Sequence, residues 1–198
     1  MNARTARVLL MLGAFVAGLV LFTAVIFIVT GRAPAPIAGI AAVGGPFKLV
    51  DQNSKPITEQ DLKGHPFLVF FGFTHCPDIC PTTLFEVSEI FRTLGPQEKG
   101  VRALFVTVDP ERDTPAVLKD YLSSFDPRVV GVTGDPAAIQ AVEKSYRVYA
   151  KKVPLDGGNY TMDHSALVYL MDKDGRFIAP FNIKRRPEDA AADLKRYL

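Results

Sequence analysis

The sequence predicts an α/β fold, in which helices flank a mixed β-sheet. Short apolar runs alternate with amphipathic helical segments along the chain, and this order is typical of a sheet covered by helices. Two of the runs, 67–73 and 101–108, lack the polar alternation of half-exposed strands, as expected for strands buried on both faces. The 198-residue chain is 48% hydrophobic and carries a formal net charge of only +2. This composition excludes a disordered polyelectrolyte and a strongly basic nucleic-acid binder.

The chain begins with an apolar stretch from Val8 to Val29 that contains no Asp, Glu, Lys, Arg or Pro. It is about long enough to cross roughly 30 Å of hydrocarbon, and it exceeds the roughly 7 to 15 apolar residues of a secretory signal peptide. We therefore expect residues 1–30 to form a cytoplasmic head and a single transmembrane helix in contact with membrane lipid. A cleaved signal peptide is the alternative, because Ala33-Pro34-Ala35 is similar to a cleavage site. Pro36, however, is an awkward residue beside a scissile bond.

Positive charges indicate how this helix should be oriented. Arg4, Arg7 and the amino terminus precede it, whereas Arg32 and a stretch of mixed charge follow, so the amino terminus should face the cytoplasm. No Arg- and Ser-rich transit peptide precedes the helix, which favours a bacterial inner membrane over an organelle. We expect a single-pass protein whose Ala/Pro/Gly linker, residues 31–45, leads to a folded periplasmic domain over residues 46–198.

Turn residues and hydrophobic periodicity predict the elements of the first half of this domain. Asp51-Gln52-Asn53-Ser54 supplies the turn of a hairpin, and an apolar stripe through Leu84, Val87 and Ile90 indicates a helix that Gly95-Pro96 ends. The predicted elements are a hairpin of 47–50 and 56–58, a polar helical turn up to Gly64, a central strand over 67–73, a helix over 82–94 and a strand over 101–108.

Two cap-and-proline pairs, Thr114-Pro115 and Asp135-Pro136, predict helix starts in the second half. The predicted elements are a helix with its apolar face at Val117, Leu118, Tyr121 and Leu122, a strand over 129–133, a helix over 136–146, a glycine-rich turn at 156–159, a strand–turn–strand over 166–181 and a helix over 187–197. Parallel crossovers come early and an antiparallel hairpin comes late. This order is that of a thioredoxin-like fold.

The only two cysteines, Cys76 and Cys80, frame the turn between the central strand and the helix expected from Thr82. Reactive groups collect at such turns. If the chain is already helical at Cys80, a spacing of four residues puts both sulfurs on one face. The positive end of the helix should then lower the thiol pKa and favour thiolates. Thiolates suit Cu(I), an added imidazole also accommodates Cu(II), and zinc would accept the same ligands plus a water.

Three histidines compete for the place of a third ligand. His65 lies in a turn and is expected in solvent, and His75 adjoins the first cysteine, so its side chain should point elsewhere. His164 follows a glycine-rich loop that can bring it to the cysteine turn, although a histidine just before a strand often has a structural role. Asp163 is expected to orient its ring. Met162 is expected to pack rather than to bind.

Three ordered segments resemble the signature segments of the Sco/SenC family: residues 71–81, which read FGFTHCPDICP, residues 107–115, TVDPERDTP, and residues 163–165, DHS. That family comprises membrane-anchored copper proteins that help to assemble cytochrome c oxidase, and the resemblance covers about residues 46–198. It implies that Cys76, Cys80 and His164 bind Cu(I) or Cu(II) on a thioredoxin-like fold. It also implies copper transfer to, or thiol reduction of, the binuclear copper centre in the receiving oxidase subunit. A copper donor and a thiol reductant fit as further partners.

Other functions remain open for the same cysteines, so the sequence leaves open whether the protein is an enzyme. A thiol-disulfide oxidoreductase would cycle Cys76 and Cys80 between dithiol and disulfide, although its usual spacing is C-x-x-C. A peroxidase is the second alternative, because Cys80-Pro81-Thr82 is similar to the peroxidatic turn of peroxiredoxins. A structural disulfide across so small a loop would add little stability. We interpret Asp109–Asp113 as a charged connection that ends in a helix cap, with partner docking as its alternative.

Overall fold

A computed structural model describes residues 2–30, 43–96, 98 and 100–198, and in the first helix it describes the side chains of residues 10–25. The chain divides into two compact units, residues 1–41 and residues 42–198. Of the linker predicted over residues 31–45, only residues 43–45 are described.

The described part of the first unit is one helix, α1 (Ala3–Thr30). This confirms the helical part of the prediction for residues 8–29. The side chains described in α1 are all exposed. No helix in the described part of the chain, however, combines the length and the apolar character that a membrane span requires. The crossing predicted for Val8 to Val29 is therefore not supported by the structure and stays a prediction.

The second unit contains nine strands, four α-helices and two short 3₁₀ helices among its described residues. In chain order they are β1 (Lys48–Asp51), β2 (Pro56–Thr58), a 3₁₀ helix (Glu59–Leu62), β3 (Phe67–Gly72), α2 (Ile79–Leu94), β4 (Arg102–Thr107), α3 (Pro115–Leu122), β5 (Val129–Thr133), α4 (Pro136–Tyr146), β6 (Ala150–Pro154), a 3₁₀ helix (Asp156–Gly158), β7 (Tyr160–His164), β8 (Val168–Met171), β9 (Phe177–Pro180) and α5 (Pro187–Lys195). Seven strands form one sheet in the order β2-β1-β5-β4-β3-β8-β9, and β6 pairs with β7 separately.

The centre of the large sheet is β3, which pairs in parallel with β4 and antiparallel with β8. Phe71 packs against Tyr146 of α4 with ring centroids 5.4 Å apart. Phe70 instead stacks on Phe105, whose ring contacts Tyr121 of α3. Because neighbouring strand residues point to opposite faces, α3 and α4 cover opposite faces of the sheet. The predicted mixed sheet with flanking helices, the arrangement of a thioredoxin-like fold, is confirmed.

The helix starts show how local chemistry sets the element boundaries. Thr114 and Asp135 cap α3 and α4 as predicted, since their side chains accept hydrogen bonds from backbone N–H groups in the first turns. The start predicted for α2 at Thr82 is wrong, because α2 begins at Ile79 and already contains Cys80. Pro81 is compatible with this earlier start, since N–H groups in the first turn of a helix have no partner within the helix.

The hairpin of β6 and β7 was not predicted, because the glycines at 157 and 158 indicated a loop in this region. β6 is largely exposed and includes Lys151 and Lys152, so it lacks the apolar alternation by which a half-buried strand is identified. His164 is the last residue of β7 and pairs with Ala150 across the hairpin. The backbone of His164 is therefore held by a strand ladder rather than by a loose loop.

Candidate metal centre

The structure brings the three predicted site residues together. The Sγ atoms of Cys76 and Cys80 and a ring nitrogen of His164 all lie within 4.8 Å of one another. Cys80 Sγ and His164 Nε2 are 3.7 Å apart, and both cysteines are free thiols. Among the residues that the structure describes, no other group of three His, Cys, Asp or Glu side chains converges in this way. The loop after β3, the first turn of α2 and the end of β7 each supply one of these residues.

Cys80 lies in the first turn of α2 and is fully buried against the end of β3. The contact depends on Gly72, because a Cβ atom there would lie 2.9 Å from Cys80 Sγ and 2.6 Å from a ring carbon of Phe105. Both distances are well below ordinary van der Waals separations of about 3.5–4.0 Å. Glycine thus allows the sulfur to approach the sheet. This role of Gly72 was not predicted, although a glycine inside an apolar strand is a known sign of close backbone approach.

Cys76 lies in the loop before α2 rather than in the helix itself. The backbone N–H of Cys80 donates a hydrogen bond to Cys76 Sγ at 3.4 Å. The sulfur therefore accepts from one of the N–H groups that the start of a helix leaves unpaired. The prediction that the two sulfurs share one helical face is corrected accordingly: they are neighbours because Cys76 folds over the helix start.

Burial raises the pKa of the Cys80 thiol far above its ordinary value, and the nearby charge of Asp113 adds to this effect. The prediction that the helix start would lower the thiol pKa is therefore wrong for Cys80. Loss of water disfavours the thiolate more than the helix dipole favours it. A cation held by Cys76, Cys80 and His164 would supply the missing charge stabilisation, because a thiol gives up its proton when it coordinates a metal.

The ring of His164 is oriented through its other nitrogen. Nδ1 lies 3.1 Å from the carbonyl oxygen of Ser165. Because a carbonyl can only accept, this contact assigns the proton to Nδ1 and leaves the lone pair of Nε2 directed towards Cys80. The ring of Phe73 packs edge-on against the imidazole at 5.7 Å. The orienting group is thus the Ser165 carbonyl and not the predicted Asp163, whose side chain is exposed.

The other two histidines lie outside the centre and Met162 packs against the core, as predicted. His75 is exposed, and its Nδ1 lies 3.1 Å from Thr74 Oγ1 and 4.0 Å from a carboxylate oxygen of Asp113. His65 is also exposed. Met162 is partly buried and packs against the hydrophobic core. Neither histidine belongs to the converging group found among the described residues.

The loop from Asp109 to Asp113 is more than a charged connection, because both of these aspartates are fully buried. Asp109 accepts a hydrogen bond from the Tyr160 hydroxyl at 2.8 Å and pairs with Arg112. The guanidinium carbon of Arg112 lies 3.8 Å from the centre of the Tyr160 ring, and its Nη1 donates to the Tyr160 carbonyl at 3.0 Å. The loop is thereby tied to the β6–β7 hairpin that carries His164.

This donor set fits a soft or borderline metal ion. Two sulfurs and one imidazole nitrogen suit copper in either oxidation state, and they also suit zinc. Cys80 is fully buried, whereas Cys76 is 9% exposed and His164 is partly exposed. The least enclosed side of the centre is therefore that of His164, followed by Cys76.

Comparisons with known proteins agree with this geometry. Residues 36–198 match the sequence model of the SCO1/SenC family. The SCO2-like protein of Rickettsia felis is 40% identical over 155 residues, which cover 77% of this chain and 76% of the relative. The solved structure of Bradyrhizobium japonicum ScoI with copper bound matches with a TM-score of 0.78 at 66% identity, covering 79% of this chain and 100% of that chain. BsSco, described as a cytochrome c oxidase assembly protein of the Sco family with a disulfide switch, matches with a TM-score of 0.62 at 25% identity and coverages of 80% and 94%. The chain belongs to the SCO1/SenC family.

Proposed function

We propose that this protein is a copper chaperone that holds Cu(I) or Cu(II) through Cys76, Cys80 and His164 for assembly of the binuclear copper centre of cytochrome c oxidase. The observation that carries the proposal is the convergence of the three ligand atoms within 4.8 Å. The copper bound to Bradyrhizobium japonicum ScoI supports the choice of metal. The description of BsSco supports the role in oxidase assembly.

The unequal burial of the ligands suggests how copper would be exchanged. Cys80 is enclosed, while Cys76 and His164 lie on the accessible side. A thiolate of the receiving oxidase subunit would approach from that side and join the metal before a resident ligand leaves. Copper would then pass between proteins without being released into solution, and Cys80 would be the last ligand to be replaced.

A membrane anchor would keep this cargo close to a membrane-bound recipient. We propose that Val8 to Val29 cross a bacterial inner membrane once, with the linker of residues 31–45 and the domain of residues 46–198 on the periplasmic side. The uncharged apolar sequence of this segment supports the proposal, as does the exposure of side chains 10–25 along α1. A copper donor and a thiol reductant would act on the same face of the domain as the recipient.

Copper titration tests the ligand assignment. The full-length protein in detergent, reduced without oxygen, should bind one Cu(I). Cys76→Ser or Cys80→Ser should weaken this binding strongly, since each removes a soft thiolate ligand. His164→Ala should abolish the tight Cu(II) complex. His65→Ala is the matched control, because His65 lies outside the converging group, and it should bind like wild type. Unchanged binding in all three ligand variants would refute the assignment.

A second candidate function is thiol-disulfide exchange, favoured by the two free thiols and by the contact of Cys76 Sγ with the Cys80 N–H. The disulfide switch of BsSco points in the same direction. The raised pKa of Cys80 makes it a poor nucleophile, so Cys76 would attack first. Reduction of an oxidised peptide carrying the copper-binding cysteines of the oxidase distinguishes the two functions. A reductase would reduce the peptide in the absence of copper, whereas a chaperone without reductase activity would leave it oxidised.

Peroxidase activity has less support than either of these functions. A peroxidatic cysteine must react as an accessible thiolate, but Cys80 is fully buried and its thiol pKa is raised. We therefore expect peroxide to consume the reduced protein slowly and without turnover in the presence of a thiol donor.

A further inference from the structure

Asp113 is a buried carboxylate directly beneath the cysteine loop. Its side chain is 0% exposed, and its two oxygens accept three hydrogen bonds. The backbone N–H and the hydroxyl of Thr74 donate to it at 3.1 Å and 2.6 Å. The hydroxyl of Thr107 donates to it at 2.6 Å. These bonds connect the start of the cysteine loop with the end of β4.

The charge of Asp113 is balanced by these hydrogen bonds rather than by a basic side chain. Within the described part of the chain, no Lys or Arg forms an ion pair with it, and the neighbouring Arg112 pairs with Asp109 instead. His75 Nδ1 is the nearest cationic candidate at 4.0 Å. Burying a carboxylate without a cation is costly unless hydrogen bonds satisfy it. The Thr74 and Thr107 donors therefore hold Asp113 in place, and Asp113 in turn fixes both of them.

The position of Thr74 connects this network with the copper ligands. Only His75 separates Thr74 from Cys76, and the N–H of Cys76 donates to the Phe73 carbonyl at 3.2 Å. The loop is thus fixed on both sides of His75 before it reaches the first sulfur. A shift of Thr74 away from Asp113 would displace Cys76 relative to Cys80. Cys80 itself would stay in place, because it belongs to α2 and packs against Gly72.

We propose that Asp113 is a positioning residue for the copper centre: through Thr74 it keeps Cys76 Sγ within reach of Cys80 and His164. This inference rests on the proposed copper-binding function of the three ligands. Cu(II) imposes a more demanding ligand geometry than Cu(I). Loss of the Asp113–Thr74 contact should therefore weaken Cu(II) binding more than Cu(I) binding. Outer contacts of this kind are typically worth about 10–100-fold in metal affinity.

The test compares Thr74→Val with Thr74→Ser in the full-length protein in detergent. Valine has nearly the shape of threonine but loses the hydroxyl that donates to Asp113, keeping only the backbone N–H donor, whereas serine keeps both donors. We expect Thr74→Val to lower Cu(II) affinity about 10–100-fold and to change the sulfur-to-Cu(II) absorption and the electron paramagnetic resonance spectrum. Thr74→Ser should restore wild-type values. Asp113→Asn should act like Thr74→Val, because its amide replaces one acceptor oxygen with a donor.

Asp126→Asn is the control for a general loss of stability. Asp126 is a mostly buried, hydrogen-bonded carboxylate like Asp113, but its partner is Arg128, just before β5, and not the cysteine loop. The Asp126→Asn variant should have a lower free energy of unfolding in denaturant titration and an unchanged copper spectrum. If Thr74→Val and Asp113→Asn keep wild-type Cu(II) spectra and affinity while losing as much stability as Asp126→Asn, the positioning role is overturned.

A measurement without copper separates this inference from the proposed function. In the reduced apoprotein, a thiol reagent should modify Cys76 faster in Thr74→Val than in wild type, and Thr74→Ser should react like wild type. Failure of the wild type to bind copper would refute the proposed function, yet the difference in thiol reaction would still support the positioning of Cys76. Equal reaction rates in all three proteins would overturn the positioning role, whatever the result with copper.

Discussion

Replacing Gly72 by alanine should damage both the fold and the copper centre. The added methyl carbon would lie 2.6 Å from a ring carbon of Phe105 and 2.9 Å from Cys80 Sγ. Each distance is roughly 1 Å short of a normal contact, so at least one neighbour must move. Overpacking of this kind costs about 1–3 kcal/mol, partly offset by about 0.4–1 kcal/mol from the stiffer unfolded chain. We expect a net loss of about 1–2 kcal/mol in unfolding free energy.

The copper centre should report which neighbour moves. Cys80 Sγ lies 3.7 Å from His164 Nε2. If the sulfur moves by about half of the roughly 1 Å overlap, the distance between these two ligand atoms changes appreciably. We expect Gly72→Ala to lower Cu(I) affinity about tenfold or more in a competition titration, as for other changes in the supporting shell of a metal site. Denaturant unfolding of the apoprotein measures the accompanying loss of stability.

Gly131→Ala provides a matched control. Its Cβ would lie 2.6 Å from Leu122 Cδ1 and 3.2 Å from Leu118 Cβ, so the overlap is similar but the neighbours belong to α3. We expect Gly131→Ala to lose similar stability and to keep wild-type copper affinity. If Gly72→Ala and Gly131→Ala behave alike with copper, the reasoning that Gly72 makes room for the Cys80 sulfur is refuted.

Three further predictions follow from buried polar groups. The Tyr121 hydroxyl is buried without a hydrogen-bond partner among the described residues, so Tyr121→Phe should raise the free energy of unfolding by about 1 kcal/mol. A lower free energy of unfolding in denaturant titration would contradict this, because it would show that the hydroxyl has a partner. Burial raises the pKa of Glu143 to about 7. Its ionisation therefore lowers the free energy of unfolding as pH rises from about 4.5 to above 7. After allowance for partial exposure, Glu143→Gln should raise the free energy of unfolding by about 1–2 kcal/mol at pH 8 and hardly at all at pH 4. Equal effects at the two pH values would contradict this. Burial raises the Cys80 thiol pKa, so copper must displace the thiol proton in order to bind. The apparent Cu(I) affinity should therefore rise at least about tenfold per pH unit between about pH 6 and pH 8. An affinity that does not change with pH would contradict this.

The parts of the fold that depend on local chemistry could be predicted from the sequence. Thr114-Pro115 and Asp135-Pro136 cap their helices as predicted, because a cap hydrogen bond and a proline at the first position act within one turn. The central strand was also predicted, since a strand covered on both faces is apolar throughout. The hairpin of β6 and β7 was missed because β6 is largely exposed and carries no such pattern.

The candidate centre was predicted only in part, since its supporting contacts join residues that are distant in the chain. Cys76 and Cys80 were identified from their place after a strand, whereas His164 depended mainly on the family resemblance. The burial of Asp113 depends on Thr74, which lies in another loop. The pKa of Cys80 was predicted in the wrong direction, because the helix start is visible in the sequence but the packing that removes water is not.

X-ray absorption at the copper edge tests the central claim most directly, because it counts the ligand atoms around the metal. The full-length protein loaded with one copper should show two sulfur ligands and one imidazole nitrogen. Each of Cys76→Ser and Cys80→Ser should lose one sulfur, and His164→Ala should lose the imidazole signal. A wild-type ligand set that persists in any of these three variants would contradict the account.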